Sequence, residues 1–186
     1  MQKVRCGWVK VGDKTYEDYH DKEWGKPLHD DKALFELFSL ETQAAGLSWL
    51  TVLKKREAYR KVFCNFDLQS VANLTSKDEL VILESGLVIK NLPKIKAIIN
   101  NAKLFLHVKE EFGSIDNFLW SYVNHKPIVN CLENCKDGAT TSSISDQLTK
   151  DLKKRGFKFI GSVTIYAFMQ ACGMINEHEK FCWCNS

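Results

Sequence analysis

Cys6 and His20 near the start of the chain, and His178 and Cys182 near its end, are residue types that hold a soft divalent ion. A thiolate and a neutral imidazole from each end would make a closed tetrahedral set, the pattern of a structural zinc site. The spacing of four between His178 and Cys182 predicts a helical face presenting both donors. Such a site would clip the termini together, so its binding energy would count as folding energy. Cys184 competes for the place of Cys182. The alternative is that these cysteines are small apolar groups of the core.

Glu41 is the second chemical feature, within Leu40-Glu41-Thr42-Gln43-Ala44-Ala45-Gly46-Leu47-Ser48-Trp49. Asp30 or Asp31 can cap a helix whose Leu34, Phe35 and Phe38 repeat at helical spacing. Glu41 falls on its last full turn, where a buried carboxylate is unfavourable unless something pairs with it. Gly46 supplies a stop, and Ser48 caps a second helix from Trp49 to about Phe63. A carboxylate, a tight corner and an indole therefore share rigid elements. From these residues alone, an ordinary corner with a solvated Glu41 and a core Trp49 is the competing reading.

The third feature is Leu152 to Gly161, a short connection between two helices with Gly156 and Gly161 at its sides. Backbone N–H groups at such a corner and at the next helix start form an anion site, and Lys153, Lys154 and Lys158 add Coulomb attraction for phosphate. The segment resembles the helix–hairpin–helix motif of DNA repair proteins, except that Lys158 stands where a second hairpin glycine is common. A plain turn between helices fits equally well.

The elements that position these residues read as helices throughout. Short helices are expected at Tyr16–His20 and from Asp67 through Val71, and Ser76-Lys77-Asp78-Glu79 has a capping-box pattern. Asn91 and Pro93 open a long helix striped by Ile95, Ile98, Ile99, Ala102, Phe105 and Leu106. Another stripe runs through Ile115, Phe118, Leu119, Tyr122 and Val123. Asn130 to Ser143 reads as a polar surface loop, followed by helices at Asp146–Arg155 and from Ser162 to about Ile175. Nothing alternates over strand length, so the fold class is all-α, in one domain of 186 residues.

With 45% apolar and 26% charged residues, the composition is that of a globular protein. No run approaches the ~18 apolar residues of a membrane span, and no secretory signal is evident. A cytoplasmic monomer without a membrane partner is expected. Seven cysteines are an odd count, which speaks against a disulfide framework and for metal ligands or buried thiols. The net charge of +3 permits nucleic-acid binding without requiring it.

Several blocks together resemble the type I 3-methyladenine DNA glycosylases. They are Arg5-Cys6-Gly7-Trp8, Tyr19-His20-Asp21 with Glu23-Trp24-Gly25, Leu40-Glu41 with Gln43 and Ala45-Gly46-Leu47-Ser48-Trp49, and Val52-Leu53-Lys54-Lys55-Arg56. The likeness continues in Phe118–His125, Leu152–Phe159 and Phe168-Met169-Gln170-Ala171-Cys172-Gly173, in order along nearly the whole chain. It departs in the loop from Asn130 to Ser143 and in the tail from Cys182 onward. The resemblance implies a helix–hairpin–helix glycosylase with one structural zinc on Cys6, His20, His178 and Cys182. It implies base recognition by Glu41, Tyr19 and Trp49, and Trp8 and Tyr16 are expected as further substrate contacts. Glu41 is also the candidate catalytic residue, either orienting the attacking water or only recognising the base. The hairpin residues Lys153, Lys154, Gly156, Lys158 and Gly161 are the expected DNA contacts. Its implied substrate is double-stranded alkylated DNA, and free 3-methyladenine its product.

The residue types suit that chemistry. A purine methylated at N3 is cationic and its glycosidic bond is already weakened. Stacking on Trp49 and Tyr19 favours the cation by roughly 0.5–2 kcal/mol per contact, and Glu41 can accept charge-assisted hydrogen bonds from the base edge. The base must first leave the duplex, which an already damaged pair makes easier. No aspartate follows Asp151, and Ile160 stands where strand-cleaving relatives carry a Schiff-base lysine, so a monofunctional enzyme using water is expected. A lesion binder without catalysis would not need Glu41. A zinc-stabilised interaction module would need neither hairpin nor pocket.

Overall fold

Residues 3–185 are described by a computed structural model, and side-chain caps account for most of its helix starts. Asp13, Asp30, Ser48, Asp67, Asn91, Ser114 and Ser142 each accept a hydrogen bond from a first-turn N–H. Each such cap typically contributes about 1 kcal/mol. The helices are α1 (Lys14–Lys22), α2 (Asp31–Ala44), α3 (Trp49–Leu53), α4 (Arg56–Val62), α5 (Leu68–Ala72), α6 (Ser76–Glu84), α7 (Leu92–Phe112), α8 (Ile115–Ser121), α9 (Ser143–Lys154) and α10 (Ser162–Ala171). Asp30 is the cap of α2, while Asp31 accepts from the Asp116 N–H and ties α2 to α8.

α2 lies at the centre and packs on α3, α7, α8 and α10. Its Phe38 meets Phe105 of α7 at 5.0 Å, Phe168 of α10 at 5.4 Å and Phe157 at 5.8 Å between ring centroids, all edge-on. Such pairs add about 0.5–1.5 kcal/mol beyond the area they bury. This aromatic cluster fixes where the last turn of α2, and with it Glu41, must stand.

The structure corrects several sequence expectations. The chain is mostly helical, but β1 (Ile128–Val129) and β2 (Ile175–Asn176) form a two-residue parallel pair, too short for alternation to reveal. The expected helix from Trp49 to Phe63 breaks at Lys54–Lys55. That break allows Arg56 and Arg60, one turn apart on α4, both to reach the buried Glu36 of α2. The capping box of α6 is Thr75 with Asp78, one residue earlier than expected. α9 starts at Ser143, where Ser142 and Ser145 cap one another's backbone, and not at Asp146.

α10 ends at Ala171, not near Ile175. Its last carbonyls are taken by the segment after α1: Gly25 N–H donates to Gln170 and Leu28 N–H to Cys172. Gly173 then turns the chain at φ +75°, where a Cβ would lie 2.3 Å from the Lys26 carbonyl carbon. A longer helix would collide there. The tail carrying His178 and Cys182 is consequently extended and turn-like, so the expected shared helical face does not form. It is held by a bridge between Leu132 and Glu179 and by Trp183 N–H donating to Val4. The bridge also makes the loop after Asn130 part of the structure.

Candidate active site

The corner after α2 is built as the sequence suggested. Gly46 adopts φ +76° and Ser48 caps α3 through the Thr51 N–H. The corner is fastened from outside by a residue the sequence reading missed. Lys94 of α7, only 6% exposed, donates its ammonium to the carbonyls of Gln43 at 2.8 Å and Ala45 at 2.7 Å. These are carbonyls at the end of α2, which a cation stabilises.

Glu41 is 8% exposed, and no side chain among the described residues hydrogen-bonds or ion-pairs with it. Burial alone pushes its carboxyl up to about 8, which favours the neutral form over the carboxylate in the empty cavity. The Tyr19 hydroxyl is pushed well up by burial, with Glu41 adding to the effect, and Tyr16 shifts upward for the same two reasons.

Glu41, Tyr19, Trp49, Trp8 and Tyr16 all line one cavity of about 290 Å³. That volume lies near the lower end of the range for small-molecule sites and suits a single planar base. Trp49 lies 5.3 Å from Tyr19 in a tilted arrangement, and Trp8 stands edge-on to Tyr16 at 5.1 Å and to Trp24 at 5.0 Å. Trp49 is half-buried and packs against the core, so it is both wall and packing. The wall also contains Gln170, Glu177, Cys135 and Thr140. Gln170 belongs to a resembling block, but no spacing marked Glu177 as a pocket residue. Glu179, also missed, is buried and accepts from the N–H groups of Gly7 and Cys135, fastening the N-terminal segment and the loop to the tail.

Three of the four expected donors, His20, His178 and Cys182, meet, whereas Cys184 and not the expected Cys6 completes the group. His20, His178, Cys182 and Cys184 place their nitrogen and sulfur atoms within 4.8 Å of one another. Cys182 Sγ lies 3.4 Å from His20 Nε2, and a tetrahedral zinc holds its donors roughly that far apart. His20 Nδ1 pairs with Asp21 at 2.9 Å and His178 Nδ1 with Asn176 at 2.8 Å, so both rings direct Nε2 inward. His178 Nε2 is buried without a partner, which a bound cation would relieve. Burial lowers His178 to about 4 and so favours the neutral, ligating ring. Cys6 is buried beside Cys182, and its thiol is pushed up by burial with Cys182 adding to the shift. Gly25 makes room for the cluster: its φ is +73°, and a Cβ there would stand 2.6 Å from His178 Cε1.

At the connection between α9 and α10, Lys153, Lys154 and Lys158 are exposed, whereas Arg155 is held by Glu111. Gly161 is the N-cap of α10 and brings no side-chain cap, leaving first-turn N–H groups for another acceptor. Asn101 of α7, fully buried, clamps the turn: its side chain accepts from Lys158 N–H at 2.9 Å and donates to Lys158 O at 3.1 Å. Asn100 adds a bond to the Gly156 carbonyl at 3.2 Å. Both asparagines lie on a stripe read only for its apolar positions. By contrast, Lys54, Lys55 and Arg56 engage Asp13, the Leu87 carbonyl, and Glu23 with Glu36.

A helical fold centred on a base-sized aromatic cavity with a buried carboxyl defines a narrow class. Residues 8–185 match the family model described as methyladenine glycosylase, and the chain belongs to that family. It is 46% identical to the DNA-3-methyladenine glycosylase of Haemophilus influenzae over 184 residues, covering 98% of each chain. It is 47% identical to the DNA-3-methyladenine glycosylase 1 of Escherichia coli over 180 residues, 97% of this chain and 96% of that one. A Staphylococcus aureus 3-methyladenine DNA glycosylase I, solved to describe its recognition of 3-methyladenine, superposes with a TM-score of 0.92. The identity is 43%, covering 95% of this chain and 94% of that one.

Proposed function

We propose that this chain excises 3-methyladenine from alkylated duplex DNA by hydrolysis and does not cut the strand. The observation that carries the reading is Glu41, a buried carboxyl without a protein partner in an aromatic cavity of base size. In water-excluded surroundings a cationic base is the partner that repays its burial. The flipped base stacks against Trp49 and Tyr19, with Trp8 and Tyr16 closing the wall. Entry of the cation favours the ionised form of Glu41, and the departing base takes the electrons of the glycosidic bond. Water then forms the new bond to C1′ of the sugar cation and gives up its proton to the ionised Glu41 or to solvent. Ile160 offers no amine for a covalent intermediate, which supports a monofunctional reaction.

The α9–α10 connection acts as a helix–hairpin–helix phosphate holder, with the Lys153, Lys154 and Lys158 ammonium groups and the free N–H groups after Gly161 facing the backbone of double-stranded DNA. Zinc would be held at the joined termini by His20, His178 and Cys182, with the fourth place going to the expected Cys6 or to Cys184, which stands within 4.8 Å of the other three donors rather than in place of Cys182. Its contribution is to cross-link the ends and stiffen the wall that carries Tyr19, Trp24 and Glu177. The test is incubation with duplex DNA treated with dimethyl sulfate. Free 3-methyladenine should appear with intact strands until alkali is added. Tight binding of the alkylated duplex with no release would mean a lesion binder instead.

A further inference from the structure

Glu177 is 3% exposed and accepts three hydrogen bonds: from Tyr166 Oη at 2.6 Å, from Asn130 Nδ2 at 2.9 Å and from Gln170 Nε2 at 2.5 Å. With Tyr166 and Asn130 donating to Oε1, the Gln170 amide meets Oε2 and must present its N–H there. This fixes which way the amide points. Its Oε1 is left over, with no hydrogen-bond partner among the described residues, on a side chain that lines the same cavity as Glu41. The arrangement is rigid at each point. Gln170 lies on the last turn of α10, and its own carbonyl is held by Gly25 N–H at 3.1 Å. The backbone of the Asn130–Ser143 loop closes over Glu177 at Gly138, where a Cβ would stand 3.5 Å from Glu177 Oε2.

We infer that Gln170 is a specificity-determining residue, oriented by Glu177, whose Oε1 accepts from the 6-amino group of 3-methyladenine and opposes the 6-oxo group of 3-methylguanine. The inference rests on reading the cavity as the base pocket. At the 6-position adenine offers only a donor and guanine only an acceptor. An amide free to rotate would serve either, but this amide cannot turn without setting its oxygen against the Glu177 carboxylate. Selectivity therefore comes from a repulsive contact as well as an attractive one. Sites that satisfy a substrate N–H discriminate strongly because the wrong base leaves buried polar groups unpaired.

The experiment measures release of both bases from one preparation of duplex DNA alkylated with dimethyl sulfate, at early times, separated chromatographically. The wild type should release 3-methyladenine faster than 3-methylguanine. Gln170→Leu should lower the 3-methyladenine rate by loss of the hydrogen bond and raise that of 3-methylguanine by loss of the repulsion, so that their ratio falls at least about tenfold, the equivalent of one hydrogen bond. Glu177→Gln should lower the ratio too, because its new amide lets Gln170 turn over. The ratio comes from a single digest and does not depend on how much of a variant is folded. Gln170→Met, which keeps chain length and apolar packing, replaces the leucine variant if that one does not fold. Equal losses for both bases, with an unchanged ratio, would show that Gln170 and Glu177 only support the wall and would overturn the inference. A wild type that releases neither base would strike the glycosylase reading itself.

Discussion

Lys94 and Gln43 hold each other reciprocally: the ammonium of Lys94 donates to the Gln43 carbonyl at 2.8 Å, and the Gln43 amide donates to the Lys94 carbonyl at 3.1 Å. Both are buried, and Gln43 lies two residues after Glu41. The pair fastens α7 to the end of α2 just where the cavity wall begins. Lys94→Met keeps the stem but leaves the Gln43 and Ala45 carbonyls without their cation. Hydrogen bonds to charged groups contribute about 1.5–3 kcal/mol, so denaturant unfolding should show a loss of that order. Base release should fall as well, because the corner carrying Glu41 and Trp49 loosens. Unaltered stability would mean that water substitutes fully for the ammonium.

Glu41 gives a pH signature with a definite sign. Burial raises its carboxyl from 4.5 to about 8. Its contribution to stability is therefore full below the unfolded value, declines as pH rises between the two, and is lost above about 8. Glu41→Gln has no such decline. The variant should gain stability relative to the wild type as pH rises from 5 to 8, read as a widening gap between denaturation midpoints. The same variant should release 3-methyladenine more slowly. A gap that stays constant with pH would mean a solvated, ionised Glu41.

Trp49→Ala separates packing from charge. Because the indole is half-buried against the core, this variant should lose both stability and affinity for free 3-methyladenine. Calorimetric melting together with equilibrium binding reads both effects. Loss of affinity without loss of stability would make Trp49 a pocket wall alone.

Purified protein should carry one zinc per chain by elemental analysis, and His178→Ala should lower metal content and melting temperature together. Gly25→Ala should do the same without touching a ligand, because its Cβ would enter the space of the His178 ring. Cys6→Ser and Cys184→Ser identify the fourth ligand, since only one should lose the metal. Full stability and activity in metal-free protein would refute the structural role.

Lys158→Ala should weaken DNA binding alike across sequences and reduce the slope of log affinity against log salt by about one unit. Excision at saturating DNA should change less. Titrations at several salt concentrations check this, and an unchanged slope would favour a plain turn between helices.

Local chemistry in the sequence was enough to place helix starts at Ser48, Asp67 and Asn91, to narrow that of α2 to Asp30 or Asp31, and to single out Glu41 and Trp49, whereas Tyr19 came from the resemblance alone. A cap, a periodic stripe and a glycine stop act over a few residues, so they can be read without a fold. The meeting of residues from both ends at His20, His178 and Cys182 was anticipated from residue type, but for a wrong local reason. The tail is extended because Gly173 must turn away from Lys26, a collision between segments about 150 residues apart. Lys94, Asn101, Glu177 and Glu179 were missed on the same ground. A buried polar side chain follows no periodicity, and its role is set by what packing brings opposite it. Tertiary structure alone decided which carboxyl stands unpaired in the cavity and which holds an amide in place.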